Sequence, residues 1–431
     1  MEISDSLQKS IKLPLIRLFF LNCGMKTIKI ESSFFKNETK IIYASEEVFK
    51  ALHLPLKYLT LSLHYDRFAN TINLGPVICL LTDYVSGQDE IHFGNIDDYC
   101  KEMANYSKEK GALFYVSTLP LLNDDQMKGF YLTENVWTIA DMPFPNVIYN
   151  RIRSRRLEGS KNFLNLMETL TMNNIPIFNS RYLNKWEIYK IFASNHSLLP
   201  YVPKTALLTK KAELQIFLND FKDVFIKPIH GSHGRGIMRL KQNENGFEVR
   251  FSHSNEPELF SSFDEMYEKL LPYLKKEQHI IQETIDLVSY DQRCLDFRLL
   301  CHKIDQQQWK VTSSVARLSA KDQFVSNLAK GGEQLNLKKM LSECFDRKTC
   351  FHLYQILHEI SLEIVNTICL EVEGEYGEFG IDIGISKDGK PWILEVNTKP
   401  SKRNDISESK TIRPSAKAIV HYCFSLSGYE I

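Results

Sequence analysis

Phe379-Gly380-Ile381-Asp382-Ile383 and Ile393-Leu394-Glu395-Val396-Asn397 are two apolar runs of strand length, joined through Lys387-Asp388-Gly389-Lys390. An Asp-Gly pair between such runs predicts a β-hairpin. Residues two apart on a strand share a face, so Glu395 and Asn397 point the same way and the hairpin brings Asp382 beside them. Hard oxygen donors on adjacent strands are what Mg²⁺ requires when substrate phosphates complete its octahedron. The bland alternative is a hairpin with polar residues facing water. Ile393, Leu394 and Val396 argue against it, because a strand buried on both faces leaves Glu395 and Asn397 in need of partners.

Upstream, Val224-Phe225-Ile226-Lys227-Pro228 is a strand ending in a lysine, followed by Gly231-Ser232-His233-Gly234-Arg235-Gly236. Three glycines let backbone N–H groups approach an anion closely before the next strand begins. The segment is neither a Walker loop nor a dinucleotide fingerprint, since it lacks G-x-x-x-x-G-K-[ST] and leads into a strand. Between the two constellations stand Asp296-Phe297-Arg298, Arg317 and Asn327. Arginines on the sheet of a metal cluster can hold a transferring phosphoryl group or a carboxylate bidentately. Isolated arginines more often make surface salt bridges. A further basic run, Arg151, Arg153, Arg155, Arg156 and Lys161, offset by Glu158, follows a strand end where sheet enzymes bind ligands, although such runs are commonly solvated loops.

The 431 residues carry 53 Lys+Arg against 53 Asp+Glu, so nucleic acid and acidic membrane are not expected partners. With 43% hydrophobic and 11% aromatic residues the chain is globular, neither disordered nor collagen-like. No segment reaches the ~18 uncharged apolar residues of a membrane span, and residues 13–23 read as a strand instead of a signal peptide. Nine scattered cysteines without a C-x-x-C pair read as reduced thiols of a cytoplasmic protein. The pattern predicts a β-rich amino-terminal module over residues 1–75. A parallel sheet with crossover helices follows over 76–183, and a third region over 184–431 has strands at 223–252, 279–285, 295–302, 309–317 and 324–328, with a long helix over 350–370.

These elements resemble the ATP-grasp superfamily of carboxylate–amine/thiol ligases. Lys185 resembles its first phosphate lysine, Lys227 its second, and residues 230–236, with His233, Gly234, Arg235 and Gly236, its flexible lid. Gln282, Glu283 and Ile285 resemble the hinge that meets adenine, with Asp291 or else Asp286 for the ribose. Asp382, Glu395 and Asn397 resemble its magnesium triad, and Arg298, Arg317 and Asn327 its reacting-phosphate residues. The chain is similar, more closely, to YheC/YheD-type endospore coat-associated ATP-grasp proteins, through Asn146-Val147-Ile148-Tyr149-Asn150-Arg151-Ile152, Val325-Ser326-Asn327-Leu328 and Glu395-Val396-Asn397-Thr398-Lys399-Pro400-Ser401.

The resemblance implies a multidomain α+β and α/β chain: an ATP-grasp domain over 184–431 with a lid over about 204–284, a preceding Rossmann-like domain, and the β-rich module. It further implies ATP and two Mg²⁺ ions, formation of an amide through an acyl phosphate from small-molecule or peptide carboxylate and amine substrates, and spore-coat proteins as partners. Arg151 and Lys399 are the residues assigned to substrate. Two rivals share the motifs: a structural coat protein with a vestigial site, and a small-molecule kinase.

Overall fold

The computed structural model describes all residues except 84, 88–89, 123–126, 232–233, 255, 321–330 and 403–410. Asn327, His233 and the strand expected over 324–328 therefore lie outside the described residues.

Strands within residues 2–75 form two small sheets. One runs Ser33–Phe35, Glu2–Ser4, Ile42–Tyr43; the other runs Lys26–Glu31, Leu18–Cys23, Thr71–Gly75, Ser62–Asp66. Its strand Leu18–Cys23 alternates cleanly, with Phe19, Leu21 and Cys23 inside and Leu18 and Phe20 outside. Its core is continuous with one face of the next sheet, because Phe19 and Leu21 belong to the same apolar cluster as Val77, Cys79 and Leu81.

That next sheet has six strands in the order Val136–Asp141, Lys128–Thr133, Leu113–Ser117, Val77–Leu81, Val147–Asn150, Ile177–Phe178. The last four are parallel. Val77–Leu81 and Leu113–Ser117 are buried at every position, as continuous apolar runs require when both sheet faces are covered. Tyr99 and Met103 of helix Asp97–Lys110 cover the face of Ile78 and Leu80. Phe163, Leu166 and Leu170 of helix Lys161–Met172 cover the opposite face. This is the Rossmann-like arrangement.

Two antiparallel sheets follow. The lid sheet is ordered Thr205–Leu208, His279–Glu283, Asp223–Pro228, Met238–Asn243, Gly246–Phe251, Glu258–Phe260, and helices Lys211–Phe221 and Phe263–Leu274 share its core. The second sheet is ordered Glu333–Asn336, Trp309–Leu318, Arg293–Lys303, Glu378–Ile385, Pro391–Asn397. Helices Lys185–Ser194, Leu337–Cys344 and Arg347–Glu371 pack into its apolar core. The hairpin expected from Asp388-Gly389 forms, with Gly389 at φ +83° in the left-handed region and the Ser386 N–H donating to the Lys390 carbonyl at 2.9 Å.

The last helix, Pro414–Leu426, packs on the Rossmann-like sheet, although it falls in the stretch the sequence assigns to the third region: Ile419, Val420 and Phe424 share a core with Ile78 and Tyr149. Apolar side chains on several faces of this helix let it bridge the two units, so chain order does not follow spatial grouping here.

Ile381 is fully buried in the middle of the Asp382 strand. Ile381→Ala is expected to destabilise the protein by about 2–5 kcal/mol, read as a lowered thermal midpoint with unchanged far-ultraviolet circular dichroism at 20 °C.

Candidate functional site

Between the lid sheet and the second sheet lies a cleft of about 1120 Å³, extending to the end of the Rossmann-like sheet. Its floor is set by strand register. Arg298 lies directly opposite Asp382 on one neighbouring strand, and Glu395 lies opposite Asp382 on the other. The three form one row across the sheet, and Asn397, opposite Gly380, lies on the same side two residues along.

A β-bulge sharpens this row. Asp382 pairs with Glu395 but Ile383 pairs with Ile393, which leaves Leu394 unpaired. Ile393 and Val396, three apart, therefore both enter the core, while Leu394, Glu395 and Asn397 line the cleft. Simple alternation would have set Ile393 and Glu395 on one face.

Asp382 is buried between two arginines. Arg298 donates Nε–H to Oδ1 and an Nη2 hydrogen to Oδ2, each at 2.6 Å, and Arg317 Nη2 lies 2.9 Å from Oδ2. Arg317 Nε–H also donates to Asp296 at 2.6 Å. Burial opposes ionisation of Asp382, but the two guanidinium groups outweigh it and hold the carboxyl below its usual range. Burial pushes Asp296 up, with Arg317 only partly opposing.

Lys185 opens its helix behind an Asn184 capping box, in which the Asn184 side chain accepts from the Glu187 N–H at 2.9 Å. Its Nζ lies 2.9 Å from Glu395 Oε1 and donates to the Gly231 carbonyl at 2.6 Å. Burial opposes ionisation of Glu395, yet Lys185 holds it below its usual range. Lys227 donates to Gln282 Oε1 at 2.6 Å, and burial, aided by Lys185, lowers its ammonium to about 8. Glu395 and Asn397 fit a hard cation, since Glu395 Oε2 and the Asn397 amide oxygen accept no hydrogen bond from the described residues, whereas both Asp382 oxygens are engaged by Arg298 and Arg317.

Lys185, Lys227, Gly234, Arg235, Ile285, Arg298, Arg317, Asp382, Glu395, Asn397, Arg151 and Lys399 all line the cleft. Gln282, Glu283 and Gly236 lie off the cleft lining. The Gln282 amide is occupied by Lys227 and by the Thr205 hydroxyl, 2.8 Å away, and the Glu283 carboxylate accepts from the Lys204 N–H at 2.6 Å. Asp291 does not line the cleft either. With Gln292 it sits at positive φ in the exposed turn between Ser289–Tyr290 and the Arg293 strand, a hairpin tip that selects for those conformations, whereas Asp286 borders the cleft.

Arg151 and Lys399 line the cleft with their charges already engaged. Arg151 donates to buried Glu378 at 2.5 Å and to the Pro400 carbonyl at 2.9 Å. Lys399 binds Glu158 and the Ile152 carbonyl, and burial lowers it to about 8 despite Glu158.

Sequence reasoning passed over Asp223 and Arg239, an ion pair at 2.7 Å on the lid wall of the cleft. The signal was present: Asp223, Phe225 and Lys227 alternate on one strand face, and Arg239 lies across from Phe225.

A family model described as YheC/D-like ATP-grasp matches residues 174–426. The chain belongs to the YheC/D-like ATP-grasp family. This YheC/D-like chain is 25% identical over 389 residues to the endospore coat-associated protein YheD of Bacillus subtilis (strain 168), covering 88% of the chain and 84% of YheD. Against YheC of the same organism it is 23% identical over 339 residues, with 76% and 90% covered. Among solved structures, the VanG D-Ala:D-Ser ligase from Enterococcus faecalis matches with a TM-score of 0.50 at 12% identity, over 82% of this chain and 99% of that one, a likeness of fold.

Removing the Asp382 carboxylate leaves two arginines facing each other in a buried setting. Asp382→Ala is expected to cost about 3–5 kcal/mol, seen as a lower denaturant midpoint, whereas Asn397→Ala leaves the midpoint within error.

Proposed function

We propose that this chain is an ATP- and Mg²⁺-dependent carboxylate–amine ligase acting on small-molecule or peptide substrates. What carries the reading is the cleft's polarity: Lys185 and Lys227 stand over a row of Arg298, Asp382 and Glu395, cations for a triphosphate beside donors for its metal. The family membership supports the nucleotide, and the names of YheD and YheC support a role in spore formation with coat proteins as partners. The same reading divides the chain at residues 75 and 183, with a lid over about 204–284.

Lys185 and Lys227 neutralise phosphate oxygens, and the backbone at 283–285 meets the adenine edge. Asp286 takes the ribose in place of Asp291. Asp382, Glu395 and Asn397 would hold Mg²⁺, to which we assign two ions, and the metal would supply positive charge that screens the phosphates. Arg298 and Arg317 fix Asp382 and place positive charge where the substrate carboxylate attacks the γ-phosphorus. The bond from phosphorus to the bridging oxygen breaks and ADP leaves, giving an acyl phosphate. The amine nitrogen then attacks the acyl carbon, the carbon–oxygen bond to phosphate breaks, and the nitrogen loses a proton. No protein nucleophile is required.

Glu395→Gln is expected to lower amine-dependent ADP formation at least 100-fold at an unchanged thermal midpoint; survival of turnover removes Glu395 from the metal site. Mass spectrometry of the wild-type reaction should show acid and amine joined with loss of water. A phosphorylated acid identifies a kinase instead, and no ATP binding at millimolar Mg²⁺ leaves a structural protein.

The ammonium of Lys227 at about 8 has a pH consequence. Above pH 8 the free site holds a neutral amine, so ATP must bring in a proton. ATP affinity is expected to fall towards tenfold per pH unit between pH 8 and 9.5 by calorimetry. Lys227→Arg, whose charge does not titrate there, flattens the profile.

A further inference from the structure

We propose that the end of the cleft bordered by residues 151–155, Tyr182 and 398–402 recognises a second carboxylate on the substrate, so that the acid joined is dicarboxylic or an acidic peptide. The inference rests on the ligase reading for its role, but its binding test does not.

The first ground is charge. Arg151, Arg153, Arg155, Lys399 and Lys402 line this end. Three carboxylates answer them: Glu378 binds Arg151 and Lys402, Glu158 binds Lys399, and Asp83 lies 3.5 Å from Arg153 while also accepting the Ser154 N–H at 2.8 Å. Among the described residues, five cations at this end face three anions. The Arg155 guanidinium lies 4.9 Å from the Tyr182 ring centroid and has no carboxylate partner among the described residues. Stacking on an aromatic face fixes a guanidinium while leaving its edge hydrogens available to a planar carboxylate.

The second ground is independent of charge. Arg151 is 3% exposed, and its Nε–H is buried without a hydrogen-bond partner; the hydroxyl of Thr398, 2% exposed, is likewise unpaired. Both residues line the cleft. Buried donors are almost always satisfied, and two orphans along one wall point to a ligand that completes them. The acceptor is not the reacting carboxylate, which the proposed chemistry places at the phosphate end beside Arg298 and Arg317. An oxyanion with lone pairs for Arg155, Arg151 and Thr398 satisfies the donors and the charge together.

The test is calorimetry on the full chain with glutarate and with glutaramate, in which an amide replaces one carboxylate. Wild type should bind glutarate at least tenfold more tightly. Arg155→Gln should bring the ratio within twofold, Arg155→Lys should restore part of it, and Lys241→Ala, exposed on the Met238–Asn243 strand away from the cleft lining, should leave it unchanged. Equal affinities in the wild type overturn the proposal. So does a ratio that survives Arg155→Gln or is lost in Lys241→Ala, and unchanged thermal midpoints across the variants exclude misfolding as the cause. Glutarate preference without amide formation retains the subsite and rejects the ligase reading; amide formation from monocarboxylic acids with no glutarate preference does the reverse. Comparing glutamate with alanyl-glutamate then tells a free amino acid from a peptide.

Discussion

The structure is organised around one carboxylate, Asp382, gripped by two arginines inside a sheet. Placing three charged groups in a low-dielectric interior is costly unless geometry and hydrogen bonding are nearly complete. Here Arg298 makes a bidentate contact from the adjacent strand, Arg317 reaches from the next, and Asp296 takes the remaining Arg317 valence. Only a sheet with that register can supply these distances, so the pairing of residues 293–303 with 378–385 and of 309–318 with 293–303 is tied to the cluster. The apolar residues behind, Phe297, Ile381 and Ile383, keep water out and make the electrostatics strong. The same arrangement holds the floor of the cleft ready for ligand, which lowers the reorganisation needed on binding.

A second buried carboxylate plays the corresponding part between units. Glu378 begins the Asp382 strand and accepts from Tyr149 and Arg151 of the Rossmann-like sheet, with Lys402 from the loop that follows the Asn397 strand. Asn179, at φ +56°, adds backbone contacts: its amide donates to the Glu378 and Thr398 carbonyls and accepts from the Gly377 N–H at 2.9 Å. An asparagine tolerates that conformation better than most side chains. These bonds anchor residues 398–402 directly after Asn397, so Glu395, Asn397 and the 151–155 end of the cleft share one frame.

The legible parts of the site were those written in local pattern. Asp-Gly between two apolar runs announces its own hairpin, an Asn-x-x-Glu box announces the helix that presents Lys185, and alternation along residues 223–227 sets Lys227 on a face. The Asp382, Glu395 and Asn397 grouping needs only the hairpin. What could not be read depends on contacts far apart in sequence: Arg151 and Glu378 are separated by 227 positions, so the sequence shows a basic residue but not that its charge is engaged. The bulge at Leu394 is hidden for a related reason, since register belongs to two strands jointly. The exposed turn at Asp291 is likewise hidden, because its geometry depends on the pairing of Ser289–Tyr290 with the Arg293 strand. The fold was clear wherever amphipathic period decided it, and unclear for the last helix, whose apolar faces suit either sheet.

A net charge of zero for the chain conceals a steep local division. Basic groups concentrate at both ends of the cleft and hold the carboxylates on and behind its wall: Glu395 by Lys185, Asp382 by Arg298 and Arg317, Glu378 by Arg151 and Lys402, Glu158 by Lys399. The cleft's charged residues are thus paired among themselves. On the proposed reading, a polyanion entering with a divalent metal would offer each partner a replacement, phosphate for Lys185 and metal for Glu395. Such an exchange keeps the buried charges compensated at every stage, and it makes tight binding of either ligand alone less favourable than binding of both together.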